Sequence, residues 1–161
     1  MAIGNRKLAG SDVPPVGLGC MVLSHAYGNP PPPEVGREVL ERAVEIGYVH
    51  FDTAALYGFG RNEELLGPVL EPYRDRILLA SKCGMTGVDG VRTVDGRPET
   101  ILATCEQALE RLRTDVIDLY YLHRIDPKVP LGETVGALSD LRAAGKIGAI
   151  GLSEVSAETL L

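Results

Sequence analysis

Short apolar runs alternate with longer segments of helical periodicity along this chain, and that alternation constrains the fold more than any single motif. Runs with the composition of buried strands fall at Val16–Gly19, Tyr48–Asp52, Ile77–Ser81, Val116–Leu122 and Ile147–Leu152. After the first of them, Val35, Val39, Val44 and Ile46 mark an apolar face, and Gly47 is placed to close the helix as a left-handed cap. A shorter helix is predicted from Asn62 as N-cap through Leu65, Leu66 and Val69. Pro98 suits a first helical turn, and Ile101, Leu102, Cys105, Leu109 and Leu112 follow at helical steps. Leu131, Val135, Leu138 and Leu141 repeat the pattern and stop at Gly145. Strand then helix, repeated about every 30 to 40 residues, specifies βαβ units and a parallel α/β sheet.

Two stretches interrupt this order. Pro30–Pro33 and the Gly-rich Gly84–Gly96 lack apolar periodicity and read as surface loops, the second, past the third strand end, being either the border of a substrate pocket or a plain solvated loop. Met1–Val13 is expected to form a hairpin ahead of the first unit, and Ser156–Leu161 to open a fifth helix. A closed (βα)8 barrel needs roughly 250 residues. With 161 residues, the expectation is one domain, 1–161, forming a partial (βα)8 TIM barrel of about five units. Its open edges would lie where a sixth and an eighth strand pair, which leaves two alternatives: a partner or second copy covers them, or the sequence is part of a longer chain.

Composition narrows the function. A 45% hydrophobic content with a formal charge of −6 suits a folded domain, and singly scattered Lys and Arg form no stripe that tracks phosphates, so no nucleic-acid partner is expected. No apolar run reaches the ~20 residues of a membrane span, and no leader pattern opens the chain, so a cytoplasmic protein is expected. Cys20, Cys83 and Cys105 show no CxxC spacing and read as reduced thiols. The three histidines are dispersed, with no H-x-H or H-E-x-x-H, so no metal site is expected.

Polar residues at or just past the strand ends point to chemistry, because the loops after parallel strands converge on one face. Asp52, Tyr57, Lys82 and His123 occupy such positions. Asp52 and Tyr57 lie in Gly47-Tyr48-Val49-His50-Phe51-Asp52-Thr53-Ala54-Ala55-Leu56-Tyr57-Gly58. Asn62-Glu63-Glu64-Leu65-Leu66-Gly67, Ala80-Ser81-Lys82, Asp118-Leu119-Tyr120-Tyr121-Leu122-His123, Gly145-Lys146-Ile147 and Gly151-Leu152-Ser153 follow in order. Together these segments resemble the amino-terminal half to two-thirds of an aldo-keto reductase.

The resemblance implies reduction of small aldehydes or ketones by NADPH, with Tyr57 as proton donor and His123 orienting the carbonyl oxygen. A free phenol loses its proton near ~10, so a cation that stabilises phenolate helps it act as an acid. Lys82 matches that cation, and Asp52 can hold the ammonium. The resemblance assigns nicotinamide contacts to Gly19, Cys20, Met21, Asp52, Ser153 and Glu154. Glu154 stands where many members have Asn, and an ionised Glu accepts hydrogen bonds without donating. The family's adenosine and phosphate loops come from later strands, so a chain of this extent would hold nucleotide weakly, and a catalytically inactive fragment or regulatory subunit is the alternative.

Taken residue by residue, His50 shares strand parity with Asp52 and reads as a hydrogen-bonded interior histidine ahead of a second catalyst, His25 as a surface residue ahead of a substrate contact, and Cys83 as a small buried or semi-buried residue. A dinucleotide fold of the G-x-G-x-x-G kind fails at Val22, and a nucleophile elbow fails because Gly151-Leu152-Ser153-Glu154-Val155 lacks its final Gly.

Overall fold

A computed structural model describes residues 4–25, 28–88 and 91–160. The opening hairpin is present as β1 (Arg6–Leu8) and β2 (Ser11–Val13), paired antiparallel, while the first three residues of the expected range lie outside those described. Five parallel strands then form one sheet in the order β3 (Leu18–Gly19), β4 (His50–Asp52), β5 (Leu78–Cys83), β8 (Ile117–Leu122) and β9 (Ile147–Leu152). Helices α1 (Pro33–Glu45), α2 (Arg61–Leu70), α3 (Pro98–Leu112) and α4 (Leu131–Ala143) connect them, and α5 (Ala157–Leu160) follows β9. β3 and β9 are the sheet's outer strands. This is the predicted α/β architecture, an open part of a (βα)8 barrel.

The main core lies between sheet and helices. Phe51, Leu79, Tyr120 and Leu122 project from the strands against Leu40, Leu66, Leu70, Ile101, Leu112 and Leu138 of the helices. Filling this layer removes large apolar side chains from water, the dominant favourable contribution to folding. On the other face a smaller cluster of Leu78, Ala80 and Leu119 is covered by Val13 from the opening hairpin. The helix ends are set locally. After α1, the Gly47 amide donates to the Val44 carbonyl at 3.1 Å and the Tyr48 amide to the Ala43 carbonyl at 2.9 Å, with Gly47 at φ 95°. That is a Schellman motif, and it contains the left-handed cap predicted for this glycine.

Four local expectations are corrected. α1 turns Gly36, Leu40 and Ala43 inward while Val35, Val39 and Ile46 are exposed, because the small residues let α1 lie close to Leu65 of α2. Pro33 begins α1 instead of ending a loop, since its fixed φ suits a first helical position. Asn62 is not an N-cap: α2 begins at Arg61, and the Asn62 side chain is buried. Within the supposed loop Gly84–Gly96 stands a hairpin, β6 (Met85–Val88) paired with β7 (Val91–Val94).

The strands' starting end is locked by Asp118, whose Oδ2 accepts from the Leu79 amide at 2.7 Å and pairs with Arg74 at 2.6 Å. Polar residues there hold the barrel together, which leaves the opposite rim for chemistry.

Packing makes Gly67 indispensable, because an added Cβ would lie 2.1 Å from the Arg111 carbonyl oxygen of α3. We expect Gly67→Ala to lower stability by about 1–3 kcal/mol or more. Gly136→Ala in α4, where an added Cβ meets nothing within 4 Å, should raise it by about 0.5–1 kcal/mol. Urea midpoints moving in opposite directions confirm this packing, and an unchanged midpoint for Gly67→Ala contradicts it.

Candidate active site

Parallel register brings the polar residues together. Asp52 ends β4 and pairs with Ala80, so Lys82 reaches one step further along the same face. The Lys82 ammonium donates to Asp52 Oδ1 at 2.5 Å and to the Thr53 carbonyl at 2.7 Å. Lys82 is only 8% exposed, and a buried ammonium requires such partners. Tyr57 opens the kinked turn Tyr57–Gly60, in which Gly58 and Phe59 take left-handed backbone angles, and its ring centroid lies 5.0 Å from the ammonium. His123 follows β8, fixed by its amide to the Cys83 carbonyl at 2.9 Å. Its ring meets the Tyr57 ring edge-on, 5.9 Å between centroids. All four sequence-predicted residues therefore share one rim.

The imidazole of His123 is buried, with Nδ1 lacking a hydrogen-bond partner. Burial pushes its pKa down to about 4, and the Lys82, Arg124 and Arg92 cations push the same way. It is neutral near pH 7 and can donate one hydrogen bond and accept another.

A second set of side chains holds this rim in shape. Asn62 accepts from Thr53 Oγ1 at 2.6 Å while its amide donates to the Cys20 carbonyl at 2.9 Å and to Ser24 Oγ at 3.0 Å. Its neighbour Glu63, buried, accepts from Ser81 at 2.7 Å and pairs with Arg111 at 3.2 Å. Consecutive residues of α2 thus clamp the ends of β3, β4 and β5. Only their place in the family-like segment hinted at this; their isolated chemistry did not.

A cavity of about 340 Å³ opens on the rim, lined by Met21, Tyr57, Lys82, His123, Ser153 and Glu154 among others. A larger groove of about 840 Å³, including Glu106, Asp115 and Lys146, lies beside the strand starts and away from these residues. Of the expected nicotinamide contacts, Gly19 ends β3 and Met21 and Ser153 face the cavity. The Cys20 thiol is turned into the core, raised to about 12 by burial and by Asp52, and its amide and carbonyl are bonded to Asp52 and Asn62. Glu154 pairs with Arg124 at 2.8 Å and has φ 52°, a left-handed conformation that Asn adopts more readily than Glu.

Three polar residues of the cavity lie outside the site set expected from the sequence. His25 stacks on Tyr57 at 6.2 Å and 16°, Arg92 of β7 reaches His25, and Arg124 donates to the His123 carbonyl at 2.6 Å. Arg124 was detectable only as the neighbour of His123, and Arg92 only with the hairpin known. His50 lies on the inner face, half-buried, with Nε2 unpartnered instead of hydrogen-bonded. Cys83 is fully buried, and burial pushes its thiol up, as suits a core residue. Among the described residues no three His, Cys, Asp or Glu side chains gather as a metal site would require.

The fold and rim define a βα-barrel chain with a Tyr, Lys, Asp and His constellation at its strand ends. Residues 15–160 match the model of the aldo/keto reductase family. The chain is 42% identical over 154 residues to "Probable aldo-keto reductase 1" of Glycine max, covering 94% of this chain and 44% of that protein. The solved "aldo-keto reductase AKR11C1 from Bacillus halodurans (holo form)" superposes with a TM-score of 0.86 at 32% identity, over 98% of this chain and 52% of that one. An aldo/keto reductase from Klebsiella pneumoniae, solved in complex with NADP and acetate, superposes at 0.74 with 31% identity, over 92% of this chain and 48% of that one. The chain belongs to the aldo/keto reductase family and spans about half the length of these relatives.

Protonation of His123 is directly observable. Unfolded, it takes a proton near 6.5, whereas the folded state waits until about 4. This contribution to stability is fully present above the upper value, falls by up to ~1.4 kcal/mol per pH unit as pH drops between the two, and is lost below the lower. Proton NMR should show the His123 imidazole unmoved from pH 8 to 5, and a midpoint at or above 6.5 contradicts the placement.

Proposed function

We propose that this rim reduces a carbonyl of a small aldehyde or ketone with NADPH. The observation that carries the reading is Tyr57 held between the Lys82 ammonium, 5.0 Å from its ring, and the His123 ring, at the mouth of a cavity. Lys82 places positive charge beside the phenol, which favours phenolate character as Tyr57 gives up its proton to the forming alkoxide. Asp52 and the Thr53 carbonyl hold that ammonium in place. Neutral His123 donates a hydrogen bond to the substrate oxygen and fixes its direction towards Tyr57.

Gly19, Met21, Asp52, Ser153 and Glu154 would hold the nicotinamide, with Cys20 shaping the strand end through its backbone. They suit the group in part: Met21 offers an apolar surface and the Ser153 hydroxyl is only loosely engaged, 3.4 Å from Arg124. When bound, the reduced nicotinamide supplies hydride to the carbonyl carbon. The preference for NADPH rests on the family and on the Klebsiella relative solved with NADP. A cytoplasmic setting belongs to the same proposal; three free, buried cysteines support it, and no helix among the described residues is long and apolar enough to cross a membrane.

A second reading, in which the chain works only in association, draws on the outer strands. Val16 is 58% exposed beside β3, and Ile46, the C-cap of the neighbouring α1, is 57% exposed. A second copy or further strands would cover them. A clean monomer by size-exclusion chromatography counts against self-association.

Tyr57→Phe should lower kcat/KM for carbonyl reduction by about 10²- to 10⁴-fold while leaving NADPH affinity nearly intact. Turnover unchanged by this substitution overturns the assignment of Tyr57.

A further inference from the structure

Among the described residues the charges at the rim do not cancel. Of its three cations, Lys82 is paired with Asp52 at 2.5 Å and Arg124 with Glu154 at 2.8 Å. Arg92 meets no carboxylate among the described residues; its contact is His25 Nε2, 3.0 Å from its Nη2. A guanidinium can only donate, so Nε2 accepts and His25 is neutral with its proton on Nδ1. Burial and the Arg92 charge both push the His25 pKa down, in keeping with that tautomer. Among the described residues the cavity therefore carries one positive charge without a carboxylate partner, close enough to depress His123 as well.

Arg92 is placed there by a chain of packed rings. An added Cβ at Gly87, opposite Arg92 in the hairpin, would lie 1.9 Å from the Phe59 ring, so Phe59 sits directly against β6. Phe59 meets His25 edge-on at 6.4 Å, and His25 stacks on Tyr57. Met85 of the same hairpin packs on the Ala54, Leu56 and Tyr57 cluster, and the Asp95 amide closes the hairpin base on the Gly84 carbonyl at 3.1 Å. One face of the guanidinium fork is engaged by His25, and its remaining N–H groups suit two parallel bonds to a planar carboxylate.

We propose that this pocket selects carbonyl substrates that also carry a carboxylate, with Arg92 binding the carboxylate and His25 positioning Arg92. The inference rests on the carbonyl-reducing function proposed above. The reducible carbonyl lies at Tyr57 and His123 while the acid group is held on the hairpin side, which fixes which end of an oxo-acid reacts.

The test compares 4-formylbenzoate with its methyl ester, and 4-oxobutanoate with its methyl ester, so that only the charge changes within each pair. With NADPH, kcat/KM should favour the acids. Arg92→Gln should reduce the acid-to-ester ratio by about 10- to 100-fold, mainly through KM of the acid, and Arg92→Lys should restore part of it. His25→Ala should lower the ratio less, without abolishing the preference. Acids and esters reduced alike, or a ratio unchanged in Arg92→Gln, overturn the proposal. If no aldehyde is reduced, the functional reading fails and binding decides this one: 4-methylbenzoate titrated by NMR should shift the His25 imidazole resonances in the unsubstituted protein and not in Arg92→Gln. Equal shifts in both, or none in either, refute the carboxylate site.

Discussion

The Lys82–Asp52 pair is the interaction on which the rest of this rim depends. A lysine on the inner face of a parallel strand cannot keep its charge in a buried site without nearby oxygens. Asp52 and the Thr53 carbonyl supply them from the adjacent strand end, so one ammonium ties β4 to β5 at the place where the strands stop. Removal of Asp52 leaves the buried ammonium without its counter-charge, which is why such pairs fix geometry more surely than they add stability. Tyr57 and His123 then have defined neighbours, and the Asn62 and Glu63 side chains hold the backbone beneath them.

The two ends of the sheet divide the work. At the strand starts, Arg74 and Asp118 lock β5 to β8 through backbone amides and carbonyls. At the strand ends, polar side chains from β5, from the turns after β3, β4, β8 and β9 and from β7 face one cavity. Two unusual backbone positions belong to this second rim, Phe59 and Glu154, both with positive φ. Strain of this kind persists where surrounding contacts over-determine it, and there Phe59 packs between hairpin and His25 while Glu154 is held by Arg124.

Much of this was legible in the sequence, for identifiable reasons. The strands and the order of the helices follow from apolar period, and Gly47 and Pro98 fall where cap chemistry puts them. Asp52, Lys82 and His123 are legible because each lies at a strand end, where parallel topology leaves no other destination. What local pattern could not show is tertiary. Asn62 has the chemistry of a cap, but three oxygen partners, two of them in buried bonds, outcompete that role. The α1 face was misread because two valines outweigh Gly36 in any apolar count, whereas close helix packing prefers the smaller residue. Arg92 and His25 are far apart in sequence, and only the β6–β7 hairpin brings them together.

The most direct test follows the hydride. The protein, both as the 161-residue chain and extended by any natural downstream sequence, would be given a carbonyl substrate and NADPH deuterated at C4 of the nicotinamide in ordinary water. The account predicts an alcohol with deuterium on the carbinol carbon and a solvent-exchangeable proton on its oxygen. An alcohol without deuterium at that carbon, or no alcohol from either form, would contradict a carbonyl-reducing site built on Asp52, Tyr57, Lys82 and His123.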